Sequence, residues 1–414
     1  MNINKQDCIA FDKADPLRHC QDRFTIEPGQ VYLDGNSLGA LPNHTPAQIE
    51  NTIKREWGVD LIKSWNKAGW FELAGVLGDR IGELVGANAG QIVVCDNTTI
   101  NLFKAIHAAL GINAHRNKII AHKGDFPTDL YIIEGAAGSA GRDIQIELID
   151  DESTMVDSFT PDVAVVVLSQ VNYKSGALMD MKEITRKAHE AGILIIWDLC
   201  HSAGALSVEL DECHVDFAIG CSYKYLNGGP GAPAFIYAAK QHHNVMKQPL
   251  SGWWSHSNPF DFAHQYTPAE GIKRMLSGTQ PILSLCGVGA GLDTFSGVSM
   301  DSIRQKSMAL CQLFMDLVTQ QCSEYSLDII GPVNSNLRGS HVSIAYEHGY
   351  PVVQAMIEQG VTGDFRAPNL MRFGFTPLYI SYEQIWNAVS ILKNCLDREV
   401  WKDPNYARTS SIVT

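Results

Sequence analysis

Six short clusters of Val, Ile and other apolar residues, separated by segments of helical period, constrain this chain more than any other feature. Residues 92–95, 119–121, 163–168, 193–197, 217–219 and 235–237 each read as a buried strand bounded by polar residues or glycine. Between them, 99–110 places Leu102, Phe103, Ile106 and Leu110 on one helical face, and Asp180 is a cap for a helix over 182–191. Strands spaced by helices predict an α/β fold with a mostly parallel sheet flanked by helices. The flanks differ. Residues 1–45 hold a short strand at 31–33 and a turn-rich loop from Gly35 to Gly39. Beyond Pro281 come a long helical stretch over 282–322, a strand at 341–345 and helices at 352–358 and 382–396. These predict a smaller α+β domain assembled from both chain ends. The expected division is 1–45 contributing to the small domain, 46–280 as the large domain and 281–414 as the C-terminal small domain.

Composition narrows the function. The 414 residues suffice for two or three domains, or one large α/β domain with an appendage. A net charge of −13 argues against general nucleic-acid affinity, which needs a basic footprint. The longest clean apolar run, 163–168, is far short of the ~20 residues that span a bilayer. The polar N-terminus lacks the apolar core of a signal peptide, so a cytoplasmic enzyme is expected. The ten cysteines form no Cys-x-x-Cys pair and read as reduced thiols rather than a zinc or redox site.

The chemistry concentrates at strand ends. The strand over 193–197 runs into Asp198, with His201 three residues later. Asp198 alone equally reads as a helix cap, and His201 as a packed core histidine. A second strand, 217–219, leads to Tyr223-Lys224 and then Gly228-Gly229-Pro230-Gly231. A lysine there is poorly placed as a solvated charge and suits a Schiff base with an aldehyde cofactor. A strand-end Asp suits the pyridine nitrogen of pyridoxal phosphate. Asp96-Asn97-Thr98-Thr99, between a strand and a helix start, is either a plain N-cap or a phosphate cradle. Phe126 and Asp129, in a loop after another strand, are either ordinary loop residues or neighbours of the cofactor ring.

At this point the chain resembles the kynureninases, pyridoxal phosphate enzymes of the aspartate-aminotransferase fold (fold-type I). The resemblance rests on Leu33-Asp-Gly-Asn-Ser37-Leu-Gly39, Asp125-Phe-Pro-Thr-Asp129, Asp198-Leu-Cys-His201, Gly220-Cys-Ser-Tyr223-Lys224-Tyr-Leu-Asn-Gly-Gly-Pro-Gly231, Gly252-Trp253-Trp254, Ser277-Gly-Thr279-Gln-Pro281 and Pro368-Asn-Leu-Met-Arg372. These segments run in family order over nearly the whole chain.

The resemblance implies hydrolysis of L-kynurenine to anthranilate and L-alanine in tryptophan degradation. It implies pyridoxal phosphate held covalently by Lys224, which also acts as base at the substrate α-carbon. Asp198 would bind the pyridine nitrogen and Phe126 would stack on the ring. Thr98, Thr99, Tyr223 and Trp253 would hold the phosphate. Asp129, Ser169 and His201 would complete the pocket. Arg372 would clamp the substrate carboxylate, where a surface salt bridge is the other reading, and Ser37 would touch substrate. Thr279 would reach the neighbouring subunit's site in a homodimer. Tyr223 is also the candidate acid–base group, on the expectation that a nearby ammonium or the cofactor lowers its phenol pKa. Animal kynureninases carry Asn where Thr279 stands, so plain L-kynurenine is expected to be preferred over its 3-hydroxy form. The alternative is another fold-type I enzyme, a cysteine desulfurase or class V aminotransferase; a desulfurase would need an exposed late cysteine, and Cys322 and Cys395 fall in helical stretches.

Overall fold

The computed structural model describes residues 2–406. Its centre is a seven-stranded sheet: β1 (Ile92–Val94), β2 (Lys118–His122), β3 (Gln145–Ile149), β4 (Val163–Ser169), β5 (Leu194–Asp198), β6 (Phe217–Gly220) and β7 (Phe235–Ala238). The order is β1-β7-β6-β5-β4-β2-β3, and β7 alone runs antiparallel to its neighbours. All seven residues of β4 are buried, as a strand covered on both faces requires. Alternate side chains feed two cores. Val165, Val167 and Ile196 join Leu102, Ile106 and Ile133 on one face. Val166, Leu168, Ile195 and Trp197 join Leu285, Val288 and Phe314 on the other.

Each of the six expected strands is present, extended or trimmed by a residue or two. The seventh, β3, gave no such signal. It is an edge strand whose Ile146 and Leu148 alternate with Gln145 and Glu147 and remain partly exposed, so its sequence shows no buried run. The helix at Met181–Glu190 starts where Asp180 accepts from the Glu183 N–H at 3.0 Å. The single helical stretch expected over 282–322 is two helices, Ile282–Asp293 and Met300–Gln321. Gly297 adopts φ +72° between them, and Ser299 caps the second by accepting from the Ser302 N–H at 3.2 Å.

A four-stranded antiparallel sheet lies in the C-terminal part: β8 (Asp328–Ile330), β9 (His341–Ala345), β10 (Asp364–Arg366) and β11 (Leu370–Gly374), in the order β8-β9-β11-β10. The N-terminal segment joins it. Val31–Tyr32 pairs in parallel with Val361–Thr362, and Asp34 bridges to Gly374. These pairings carry the Gly35–Gly39 loop onto the edge of the large sheet, where the Gly39 N–H donates to Tyr223 O at 2.8 Å. Among the described residues no helix is long and apolar enough to cross a membrane. All ten cysteines are free thiols.

Candidate active site

The registers level the ends of three strands. Ser169 lies opposite Asp198 across β4 and β5, and Asp198 opposite Ile219 across β5 and β6. The carboxyl edge of an open parallel sheet is where ligands bind in such folds. Here it opens on a pocket of about 310 Å³.

Its floor is the loop after β6. Asn227, at φ +57°, donates its N–H to Lys224 O at 2.9 Å, and the Gly228 N–H donates to Ser222 O at 2.8 Å. The Tyr225 hydroxyl donates to Ser340 O at 3.0 Å. A tight turn, tied to the small sheet, thus holds the Lys224 backbone. The strand-end carboxylate is fixed in the same way, since Asp198 Oδ1 accepts from the Cys200 N–H at 2.7 Å.

One wall is the start of the helix Thr98–Ile112. Asn97 caps it by accepting from the Ile100 N–H at 3.0 Å. Thr98 and Thr99 line the pocket with first-turn N–H groups that have no intrahelical acceptor, which makes an anion site. The capping reading and the cradle reading of this segment are therefore compatible. The opposite wall carries Phe126, half exposed and edge-on to Tyr173 at 5.1 Å, with Asp129 in the first turn of the helix Pro127–Ser139.

Electrostatics set the protonation states. Burial, then the charges of Asp198 and Asp125, push the Asp129 carboxyl well up. Burial, then Lys224 and His341, hold the His201 imidazole well down and neutral. Burial also pushes the Tyr223 phenol up, helped by Cys221, Cys200 and Asp198. The expected lowering by Lys224 is overridden, because desolvation of the phenolate outweighs the distant ammonium, 5.9 Å from the ring centre.

Ser37, Arg366 and Arg372 line the pocket as well. Arg372 is buried opposite Asp364 in the β10–β11 register. Its Nε donates to Asp364 Oδ1 at 2.9 Å, its Nη2 to Ser37 Oγ at 3.0 Å and its Nη1 to Tyr173 O at 2.9 Å. Arg372 is thus no surface salt bridge. Burial raises the Asp364 carboxyl, but Arg372 and Arg366 outweigh it and hold the group below its usual value.

Eleven of the expected site residues therefore meet in one pocket: Ser37, Thr98, Thr99, Phe126, Asp129, Ser169, Asp198, His201, Tyr223, Lys224 and Arg372. Trp253 and Thr279 do not; both are exposed, and Trp253 packs edge-on against Trp254 at 4.6 Å. Sequence reasoning missed Asn36, Tyr173, Cys200, Asp364 and Arg366. The signal for the last two was a charged pair, Asp364 and Arg366, in a short strand just before the Pro368–Arg372 motif.

The C-terminal part, residues 303–392, matches the family model for the kynureninase C-terminal domain. The chain is 46% identical to a kynureninase from Pseudomonas fluorescens and 44% identical to one from Burkholderia pseudomallei, each alignment covering 99% of both chains. The chain belongs to the kynureninase family. Among solved structures it resembles a cysteine desulfurase from Thermococcus onnurineus, with TM-score 0.77, 18% identity and coverage of 92% of this chain and 98% of that one. A cysteine desulfurase from Escherichia coli gives TM-score 0.76 at 17% identity over the same shares. At these identities the likeness is one of fold, and it assigns the kynureninase-family chain to the fold-type I architecture. Cys322 and Cys395, the late cysteines a desulfurase would use, are buried.

The pocket fits pyridoxal phosphate on its own terms. Asp129 Oδ2 and His201 Nδ1 are buried, belong to pocket-lining residues and have no hydrogen-bond partner. A helix N-terminus suited to phosphate, a strand-end carboxylate and a lysine border the same space.

Proposed function

We propose that this pocket cleaves L-kynurenine with water, giving anthranilate and L-alanine, with the residues in the following roles. The reading is carried by one observation: Lys224, Asp198 and Arg372 line a single pocket in a chain of the kynureninase family. Thr98 and Thr99 bind the phosphate of pyridoxal phosphate, with Tyr223 beside them. Asp198 holds the proton on its ring nitrogen, Phe126 covers the ring, and Asp129, Ser169 and His201 complete the binding. When bound, the cofactor supplies an electron-withdrawing ring that stabilises negative charge on substrate carbon.

Arg372 and Ser37 hold the substrate carboxylate. Lys224 Nζ takes the proton from the α-carbon and returns one to it after the Cβ–Cγ bond has broken, so that L-alanine keeps its α-hydrogen and the amine is freed. Water gives its hydroxyl to Cγ, which leaves as the carboxyl carbon of anthranilate. The Cβ–Cγ bond electrons remain with Cβ, which gains a proton and becomes the methyl of L-alanine. Tyr223, kept protonated by burial, fits the role of donor to Cβ rather than of base.

The working form we propose is a cytoplasmic homodimer, in which Trp253 and Thr279 serve the partner's site. The support is an exposed aromatic patch: Trp253, Phe260 and Phe262 are 42%, 61% and 79% exposed. The test is to incubate the purified holoenzyme with L-kynurenine and quantify both products. Equimolar anthranilate and L-alanine are expected, with Asp198→Asn slowed about 10²-fold or more, the scale of a lost proton-holding group. Absence of anthranilate from the wild type, or near-normal turnover by the variant, would contradict the assignment.

A further inference from the structure

Arg372 is already paired in this structure. It meets Asp364 side-on with Nε and Nη2, so the two form a neutral unit at the pocket wall. A neutral unit is a poor attractant for a substrate carboxylate. The charge that remains belongs to Arg366. Its Nη2 lies 2.7 Å from Asp364 Oδ2 and 3.4 Å from Ser37 Oγ, and its side chain is 36% exposed where Arg372 is 3%. Two guanidiniums thus share one carboxylate, and the trio carries a single net positive charge beside the pocket. A bound α-carboxylate brings that cluster to neutrality. Without Arg366, the same carboxylate would make Arg372 serve two anions.

We infer that Arg366 is a specificity-determining residue, supplying the positive charge through which the Arg372 site selects substrates bearing an α-carboxylate. The inference rests on the reading that Arg372 binds that group. Arg372 provides the fixed, planar fork; Arg366 balances Asp364, so that the fork is free to accept a second anion. The other charged groups facing the cluster are Asp34, whose carboxyl burial and Asp364 push up, and Lys224 further inside. Neither can replace Arg366. Asp34 adds no positive charge, and Lys224 is committed to the cofactor.

The test uses holoenzyme and two probes, L-alanine and L-alaninamide, which differ in the charge of the carboxyl end. Dissociation constants are measured by calorimetry for wild type, Arg366→Met, Arg366→Lys, the Arg366→Met/Asp364→Asn double variant and Arg372→Met. Arg366→Met is expected to weaken L-alanine about 10- to 100-fold, the scale of a charge-assisted contact, and to leave L-alaninamide within about twofold. Arg366→Lys should keep most of the affinity. The double variant, which restores the net charge, should recover most of it. Equal weakening of both probes would make Arg366 a structural residue and overturn the inference. So would unchanged L-alanine affinity in Arg366→Met while Arg372→Met loses it. Unchanged affinity in Arg372→Met would instead overturn the carboxylate reading beneath it.

Discussion

Gly39→Ala should damage catalysis without touching any titrating group. Gly39 lies directly over the lysine loop. A β-carbon there would come 2.6 Å from Asn227 Oδ1 and 2.8 Å from Asn227 Cα, and nearer still to Lys224 O. Ordinary contact begins at 3.4 Å, so the two loops must separate by about 0.8 Å or more. The N-terminal loop cannot absorb this alone. The Leu33 N–H donates to Thr362 O at 2.7 Å, the Gly374 N–H to Leu33 O at 2.7 Å and the Tyr32 hydroxyl to Leu38 O at 2.8 Å. The lysine turn therefore shares the shift. A displacement approaching 1 Å at a reacting group costs about 10²-fold, and overpacking of this kind destabilises by about 1–3 kcal/mol. Steady-state kinetics on L-kynurenine should show kcat/KM reduced about 10²-fold, with a lowered Tm. Gly75→Ala is the control: nothing lies within 4 Å of its added carbon, and alanine favours the helix Leu73–Val85. If Gly39→Ala keeps kcat/KM within about threefold of wild type, the loop contact does not position Lys224.

Four further outcomes are expected. Asp34 is pushed up to about 7 by burial and by Asp364, so it is neutral below that pH and anionic above it, beside Arg372 and Arg366; KM for L-kynurenine should rise as pH climbs through 7, and Asp34→Asn should flatten the rise. The same proton makes the fold lose stability as pH rises from the ordinary carboxyl value of 3.8 through about 7, a slope the Asn variant should lack in denaturant titrations. If Thr279 serves the partner's site, mixing inactive Lys224→Ala with a variant inactivated at Thr279 should restore activity through hybrid dimers, and a fully active monomer in light scattering would refute the composite site. With threonine at 279, kcat/KM for L-kynurenine should exceed that for 3-hydroxykynurenine by about 10–100-fold, and Thr279→Asn should narrow the gap.

The large sheet was legible because six of its strands are buried on both faces and leave uninterrupted apolar runs such as Val163–Leu168. β3 was not, because an edge strand partly exposed on both faces mixes Gln and Glu into its pattern. The small sheet was harder. Its strands are mostly three to five residues long, and the pairing of Asp364 with Arg372 appears only once the β10–β11 register is known. At the site, Asp198 stood out because it ends a strand, and Lys224 because it sits between a strand and the Gly228–Gly231 turn. Arg366 and Asn36 did not, since their places depend on the contact between two chain segments more than 300 residues apart, visible in the Arg366–Ser37 hydrogen bond. The direction of the Tyr223 shift was misjudged because desolvation depends on burial, which sequence does not report.

Borohydride reduction of the purified holoenzyme, followed by proteolysis and peptide mapping, tests the site assignment most directly. Reduction fixes the cofactor to whichever amine holds it. The pyridoxyl group should be found on the peptide containing Lys224 and nowhere else. The chain holds a real competitor in Lys104, fully buried in the helix Thr98–Ile112 and paired with Asp96. Label on Lys104 or any other lysine, or no label after incubation with pyridoxal phosphate, would contradict the assignment of this pocket.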